Sequence, residues 1–194
     1  MEEGMTRSWL GRLGLLMLLT YPLTPPCRAA EAEKNPAASK HGAAASPAES
    51  LGGAGTWIAY LYKEKSGRVC YLASGPQKSE PPKFKRKRPA AMVTHRPEEN
   101  VANVISFVLG YPLKRGSDAS LDVDGTHFDL FTSGDTAWSR TSDLDKQIVE
   151  AMAKGRQAVI KATPQKGALT TDTYSLAGFA HTLALIDKAC GVKR

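Results

Sequence analysis

The last stretch of the chain, residues 166–190, reads KGALTTDTYSLAGFAHTLALIDKAC. From Leu176 onward apolar side chains recur at Leu176, Phe179, Leu183, Ile186 and Cys190. Spacing of three and four draws a single stripe down one helix. Ser175 reads as the N-cap of that helix and Gly191 as the glycine just past its end. Such a stripe must be covered, so the helix closes over a surface built earlier in the chain. Cys190 lies on the face that is buried, where a thiol can clamp the helix to what it covers.

The partner for that thiol follows from the other end of the sequence. Arg7 and Arg12 precede an apolar run from Leu13 to Leu19, extended weakly to Leu23, and the small residues Ala29, Ala30 and Ala32 follow. This order predicts a secretory signal peptide over residues 1–30, cleaved after Ala30 or Ala32. The apolar run is well short of the ~20 residues a membrane span needs. Cys27 would leave with the signal. Its lipidation is the alternative, and Thr24, Pro25 and Pro26 stand against it where a lipoprotein signal carries small residues. Cleavage leaves Cys70 and Cys190 in an oxidising compartment, where such a pair forms a disulfide. Two cysteines so far apart lack the clustered spacing of a zinc site, and no metal or cofactor is expected. The expected location is the periplasm, the cell surface or the medium.

Composition then divides what remains. Residues 31–54 are rich in Ala, Ser, Pro and Gly, with Leu51 the one large aliphatic. They cannot bury enough apolar surface to offset their ordering entropy and read as a flexible tether, with a short alanine-led helix as the alternative. Residues 55–194 read as a single domain. TWIAYLY and RVCYLAS form an early hairpin that carries Trp57 and Cys70, and AMVTH gives a short strand ended by Pro97. VANVISFVLGYPL is apolar on both faces and predicts a central, doubly covered strand. In ASLDVDGTHFDLF, Asp124-Gly125 is a two-residue turn between alternating runs. That register pairs Val123 with Thr126, Leu121 with Phe128 and Ala119 with Leu130, and sets Asp122 opposite His127 on the outer face.

After Trp138 the period changes to that of a helix. Ser142 is read as its cap, with Asp145 three residues on, the buried stripe as Leu144, Ile148, Ala151 and Met152, and the end at Gly155. RQAVIKATP is one more strand before the closing helix. Strands without regular helical crossovers pair antiparallel. The expected fold is β-rich α+β: an antiparallel β-sandwich or curled sheet with two helices, the C-terminal one packed on the sheet.

These landmarks together resemble the invasion-associated locus B family of exported bacterial proteins. The resemblance rests on Trp57 before Cys70, the VISFVLGYPL strand, the DVDGTHFDLF hairpin with Trp138 behind it, and DTYSLAGFAHTLALIDKAC at the end. It spans about Gly55 to Cys190, and the final motif is its most specific part. Family members often carry a cysteine shortly after the first tryptophan. Here Ile58, Ala59 and Tyr60 stand in that region. The resemblance implies a periplasmic or surface-exposed protein without known catalysis and with a link to host-cell invasion.

Candidate chemistry is sparse. His41 falls in the tether, His95 at a strand end, His127 on the hairpin, and His181 opposite the buried stripe of the last helix. The sequence carries no zinc-protease helix, serine elbow, phosphate loop or paired-cysteine redox motif. Asp122 with His127, joined by a serine such as Ser120 or Ser133, is the one acid–base candidate, and it defines the alternative of a small exported hydrolase. Outward cross-strand pairs of this kind also serve as ordinary hairpin stabilisers. The strongest surface feature is the basic run Lys83, Lys85, Arg86, Lys87 and Arg88, with Phe84 inside it. The chain carries a formal charge of +7, and loss of Arg7, Arg12, Arg28, Glu2 and Glu3 with the signal leaves it basic. An anionic lipid, glycan or protein surface is one expected partner of this run, a solvated loop whose charge only aids solubility is the alternative, and export argues against nucleic acid. The favoured reading is a non-enzymatic envelope or secreted interaction protein.

Overall fold

The structure, a computed structural model, describes residues 47–82 and 84–194. Residues 1–30, expected to be a signal peptide, most of the expected tether and Lys83 lie outside the described residues. In chain order the elements are β1 (Glu49–Ala54), β2 (Trp57–Glu64), β3 (Gly67–Ser74), β4 (Lys78–Glu80), β5 (Ala90–Arg96), a 3-10 turn (Pro97–Glu99), β6 (Val101–Val108), β7 (Ala119–Val123), β8 (Thr126–Ser133), β9 (Thr136–Trp138), α1 (Ser142–Lys154), β10 (Gln157–Ala162), β11 (Thr170–Ser175) and α2 (Phe179–Cys190).

The described strands form one open antiparallel sheet in the order β1-β2-β3-β5-β6-β9-β8-β7-β10-β11-β4. Strand β8 is the corner. Its first residues pair with β7 and its last, Phe131 to Ser133, with β9. The sheet curls there until its halves face each other: Phe107 of β6 lies 5.7 Å, centroid to centroid, from Tyr174 of β11. The Trp57 indole N–H donates to the Ser175 carbonyl at 2.8 Å, tying the second strand to the penultimate element. The architecture is thus a curled sheet with two helices, β-rich α+β.

Helix α2 packs over β1, β2, β3 and β5, while α1 packs on β6 and against α2. Phe179, Leu183, Ile186 and Cys190 are buried as the stripe requires, and Phe179 meets the Trp57 ring edge-on at 4.9 Å. Cys190 is joined to Cys70 of β3, 120 positions earlier, with an S–S distance of 2.04 Å. His181 is exposed.

Four readings of the sequence need correction. Ser175 does not cap α2. It ends strand β11, and Gly178, at φ 86°, begins the helix instead. Thr141 rather than Ser142 caps α1, its hydroxyl accepting the Leu144 N–H at 3.2 Å. Residues 49–54, placed in the tether by composition, form β1 along the edge of β2. Strand β6 is interior as expected, but among the described residues helices and core cover only one of its faces.

Candidate functional site

Alternation along a strand decides what each face carries. In β5, Ala91, Val93 and His95 point to the core while Met92, Thr94 and Arg96 point away from it; in β6, Ile105 and Phe107 point in, and Val104, Ser106 and Val108 point out. Register then lines these outward residues into rows across the strands. One row runs Tyr60, Tyr71, Thr94, Val104. The next runs Ile58, Ala73, Met92, Ser106, Trp138, Phe131. Of these, Tyr71, Met92, Thr94, Val104, Ser106 and Trp138 floor a concave groove of about 630 Å³ whose walls also include Ala48, Tyr62, Val69, Val101, Val108 and Thr136. Tyr60 stacks on Tyr71 at 5.0 Å, and Tyr62 meets Tyr71 edge-on at 5.8 Å, so the aromatic wall is held in shape by its own ring contacts.

The groove has a polar end. Arg96 donates through Nη1 to Glu64 Oε2 at 2.7 Å and lies 3.6 Å from Glu99 Oε1. The Tyr62 hydroxyl donates to Glu64 Oε1 at 2.9 Å. The hydrogen bond from Arg96, joined by the one from Tyr62, holds the Glu64 carboxyl below the ordinary range, and burial with the Glu64 contact pushes Tyr62 up. The opposite end, at Val108, Thr136 and Trp138, carries no charged side chain among the lining residues and offers a hydroxyl and an indole N–H.

The basic run divides into two kinds of residue. Lys85, Lys87 and Arg88 are exposed. Arg86 turns inward, its side chain 8% exposed, and forks onto the fully buried Asp172 carboxylate. Its Nη1 reaches Asp172 Oδ2 at 2.7 Å and the Leu109 carbonyl at 3.2 Å, and its Nη2 reaches Ser79 Oγ at 2.7 Å. Phe84 packs edge-on to Tyr111 at 5.0 Å. Phe84 and Arg86 therefore anchor the strap. Arg86 belongs to the interior and is removed from the candidate anionic-surface set.

The hairpin forms in the register read from its sequence, and His127 Nδ1 lies 2.9 Å from Asp122 Oδ2. A shallow hollow of about 210 Å³ brings Ser120, Asp122, His127, Val159 and Lys161 together. The imidazole is 76% exposed. Asp122 is also occupied in the turn, where its Oδ1 accepts the Gly125 N–H at 3.0 Å. Among the described residues no hydrogen bond joins Ser120 to His127. This geometry gives no support to a serine activated by the imidazole, and an exposed cross-strand pair of this kind matches an ordinary hairpin stabiliser.

One polar cluster was not read from the sequence. His95 is fully buried. Its Nδ1 accepts the Asn103 N–H at 3.0 Å, which leaves Nε2 to donate to Asp187 Oδ1 at 2.9 Å. Arg194 Nε closes the cluster on Asp187 Oδ2 at 2.6 Å. Burial pushes the Asp187 carboxyl up, and the hydrogen bonds from His95 and Arg194 outweigh it, holding the group below its usual range. The period of β5 could have revealed this, since His95 shares its face with Ala91 and Val93. Enclosed beneath α2, the cluster fastens that helix to β5. Among the described residues no group of three or more His, Cys, Asp or Glu is placed to hold a metal, and no helix is long and apolar enough to cross a membrane.

A family model described as Invasion associated locus B (IalB) protein matches residues 57–187. No curated protein matches the chain. The crystal structure of invasion associated protein B from Bartonella henselae superposes with a TM-score of 0.50 at 15% identity, covering 74% of this chain and 98% of that one. At that identity the likeness bears on the fold alone.

Proposed function

The chain belongs to the invasion associated locus B family, and from that premise we propose that it is an exported, non-enzymatic interaction protein of the envelope or cell exterior. It contributes to contact with a host cell where its bacterium has one. The observation that carries this reading is the apolar groove across β2, β3, β5, β6 and β9. Among the described residues nothing covers the outer face of this interior strand, where Val104 and Val108 flank Ser106, and a largely apolar face of that kind suits an interaction surface. The exposed Lys85, Lys87 and Arg88 supply a second, electrostatic contact to an anionic envelope or host surface. Two cysteines spaced for a long-range disulfide fit an oxidising compartment.

Fractionation and capture test this together. The processed protein is expected in the periplasm or medium, with an N-terminus near Glu31 or Glu33. Immobilised, it should retain envelope or host-membrane components that Val104→Glu, which puts a charge on the groove floor, fails to retain. Recovery of full-length protein from the cytoplasm, or equal retention by both proteins, would refute the reading.

A further inference from the structure

Resting on that reading, we propose that the groove binds the hydrocarbon chain of an amphiphile, lying along β6 with its head group at the Arg96 end. Hydrogen-bond supply decides the class of occupant. The floor is the face of a sheet in which β3, β5 and β6 are each paired on both sides, so their backbone donors and acceptors are committed to the ladder. A polypeptide laid across the groove could not extend that ladder, and the scattered hydroxyls of Tyr71, Thr94, Ser106 and Thr136 with the Trp138 indole N–H are too few to pair every amide of an extended chain, so some amides would be buried unpaired. An acyl chain has no polar group to strand. Each methylene it buries adds favourable transfer out of water.

Shape and polarity agree. The cavity of about 630 Å³ falls in the range of small-molecule sites. The eight residues of β6 extend roughly 25 Å, long enough for a tail to lie at full length. Charge is confined to one end, where Glu64 and Glu99 share Arg96. Two carboxylates against one guanidinium disfavour a lone anion there and favour a zwitterionic head whose cation faces the glutamates. A second copy of the chain is a poorer occupant, because a facing copy would bring its own Arg96–Glu64 cluster onto the groove.

Trp138 on the floor and Trp57 in the core are the tryptophans left after removal of residues 1–30, so fluorescence reads the site directly. Mature protein is titrated with lysophosphatidylcholine carrying bromines at mid-chain, below its micelle concentration. Saturable quenching is expected, reversed by the unbrominated lipid and weakened at least tenfold in Val104→Glu with an unchanged unfolding midpoint. Val108→Lys is the companion variant, and the wild-type titration alone decides the matter if either fails to fold. No saturable quenching in the wild type, or equal quenching in folded Val104→Glu, overturns the proposal. If lipid fails while Val104→Glu still abolishes capture of envelope components, the acyl-chain assignment falls and the interaction face stands. If light scattering finds a dimer that Val104→Glu dissociates, the occupant is a second copy and the proposal is likewise overturned.

Discussion

Arg86 and its neighbours Lys85, Lys87 and Arg88 have the same charge and opposite roles, set by which way each side chain turns. Removing Arg86 leaves the buried Asp172 carboxylate without its partner. Arg86→Ala should therefore cost about 3–5 kcal/mol in denaturant unfolding. The triple change of Lys85, Lys87 and Arg88 to alanine should stay within about 0.5 kcal/mol of wild type for each site, while making retention on acidic vesicles insensitive to salt. A triple variant that unfolds as readily as Arg86→Ala would contradict this division. Two carboxylates make a second contrast. Burial raises Asp145, with hydrogen bonds from Ser139 and the Ile105 N–H pulling it partly back; Asp187 is lowered by its partners. Stability from Asp187 is fully present above the ordinary carboxylate range and is lost as pH falls through its lowered folded value. Ionisation of Asp145 works the other way, disfavouring the fold as pH rises through its raised value. At neutral pH Asp145→Asn should be at least as stable as wild type, since it keeps an acceptor for Ile105 N–H, 2.9 Å away, without the buried charge. Asp145→Ala should lose about 1–3 kcal/mol by orphaning that N–H. Thermal melts from pH 3 to 7 separate the two, and a less stable Asp145→Asn would refute the assignment.

Between elements, the β1–β2 turn and the entry to α2 dovetail on two glycines. Gly55 lies at φ 61° and Gly178 at φ 86°; a Cβ on Gly55 would overlap the Ala177 carbonyl oxygen, and one on Gly178 the Ala54 carbonyl oxygen. Gly178→Ala meets both a left-handed backbone and that carbonyl, so it should cost roughly 2–3 kcal/mol by chemical denaturation. An unchanged midpoint would mean the junction is not tight. The same junction explains what sequence reasoning could see. The β7–β8 hairpin was legible to the residue because Asp124-Gly125 sets the register and alternation sets the face. Strand β1 was hidden, since ESLGGA has the composition of a linker and becomes a strand only against β2. Strand β11 was hidden because Leu176 continues the helical spacing backward past the true start of α2, and only the left-handed Gly178 interrupts it. The groove was half legible: VISFVLGYPL announced two apolar faces, but whether a second layer covers them depends on how the sheet curls at β8, which no local pattern encodes.

For the whole molecule, the Cys70–Cys190 link spans most of the folded chain, and closing a loop near this length contributes roughly 4–5 kcal/mol in the loop-entropy model. Cys70→Ser, Cys190→Ser and the double variant should lose about the same stability, because each removes one link. Additive losses would show that the cysteines act separately. Both cysteines are buried where α2 meets β3, so reduction of the native protein should be slow until denaturant is added. Among the described residues, the curl that buries this side of the sheet leaves the groove open on the other, and the groove is the proposed working surface. The most direct measurement is an amide-resolved NMR titration of the mature, isotope-labelled protein with lysophosphatidylcholine. The expected result is a saturable set of shifts concentrated at Tyr71, Met92, Thr94, Val104, Ser106 and Trp138. Shifts concentrated instead at Ser120, Asp122 and His127, or along Lys85 to Arg88 with the groove silent, would contradict it.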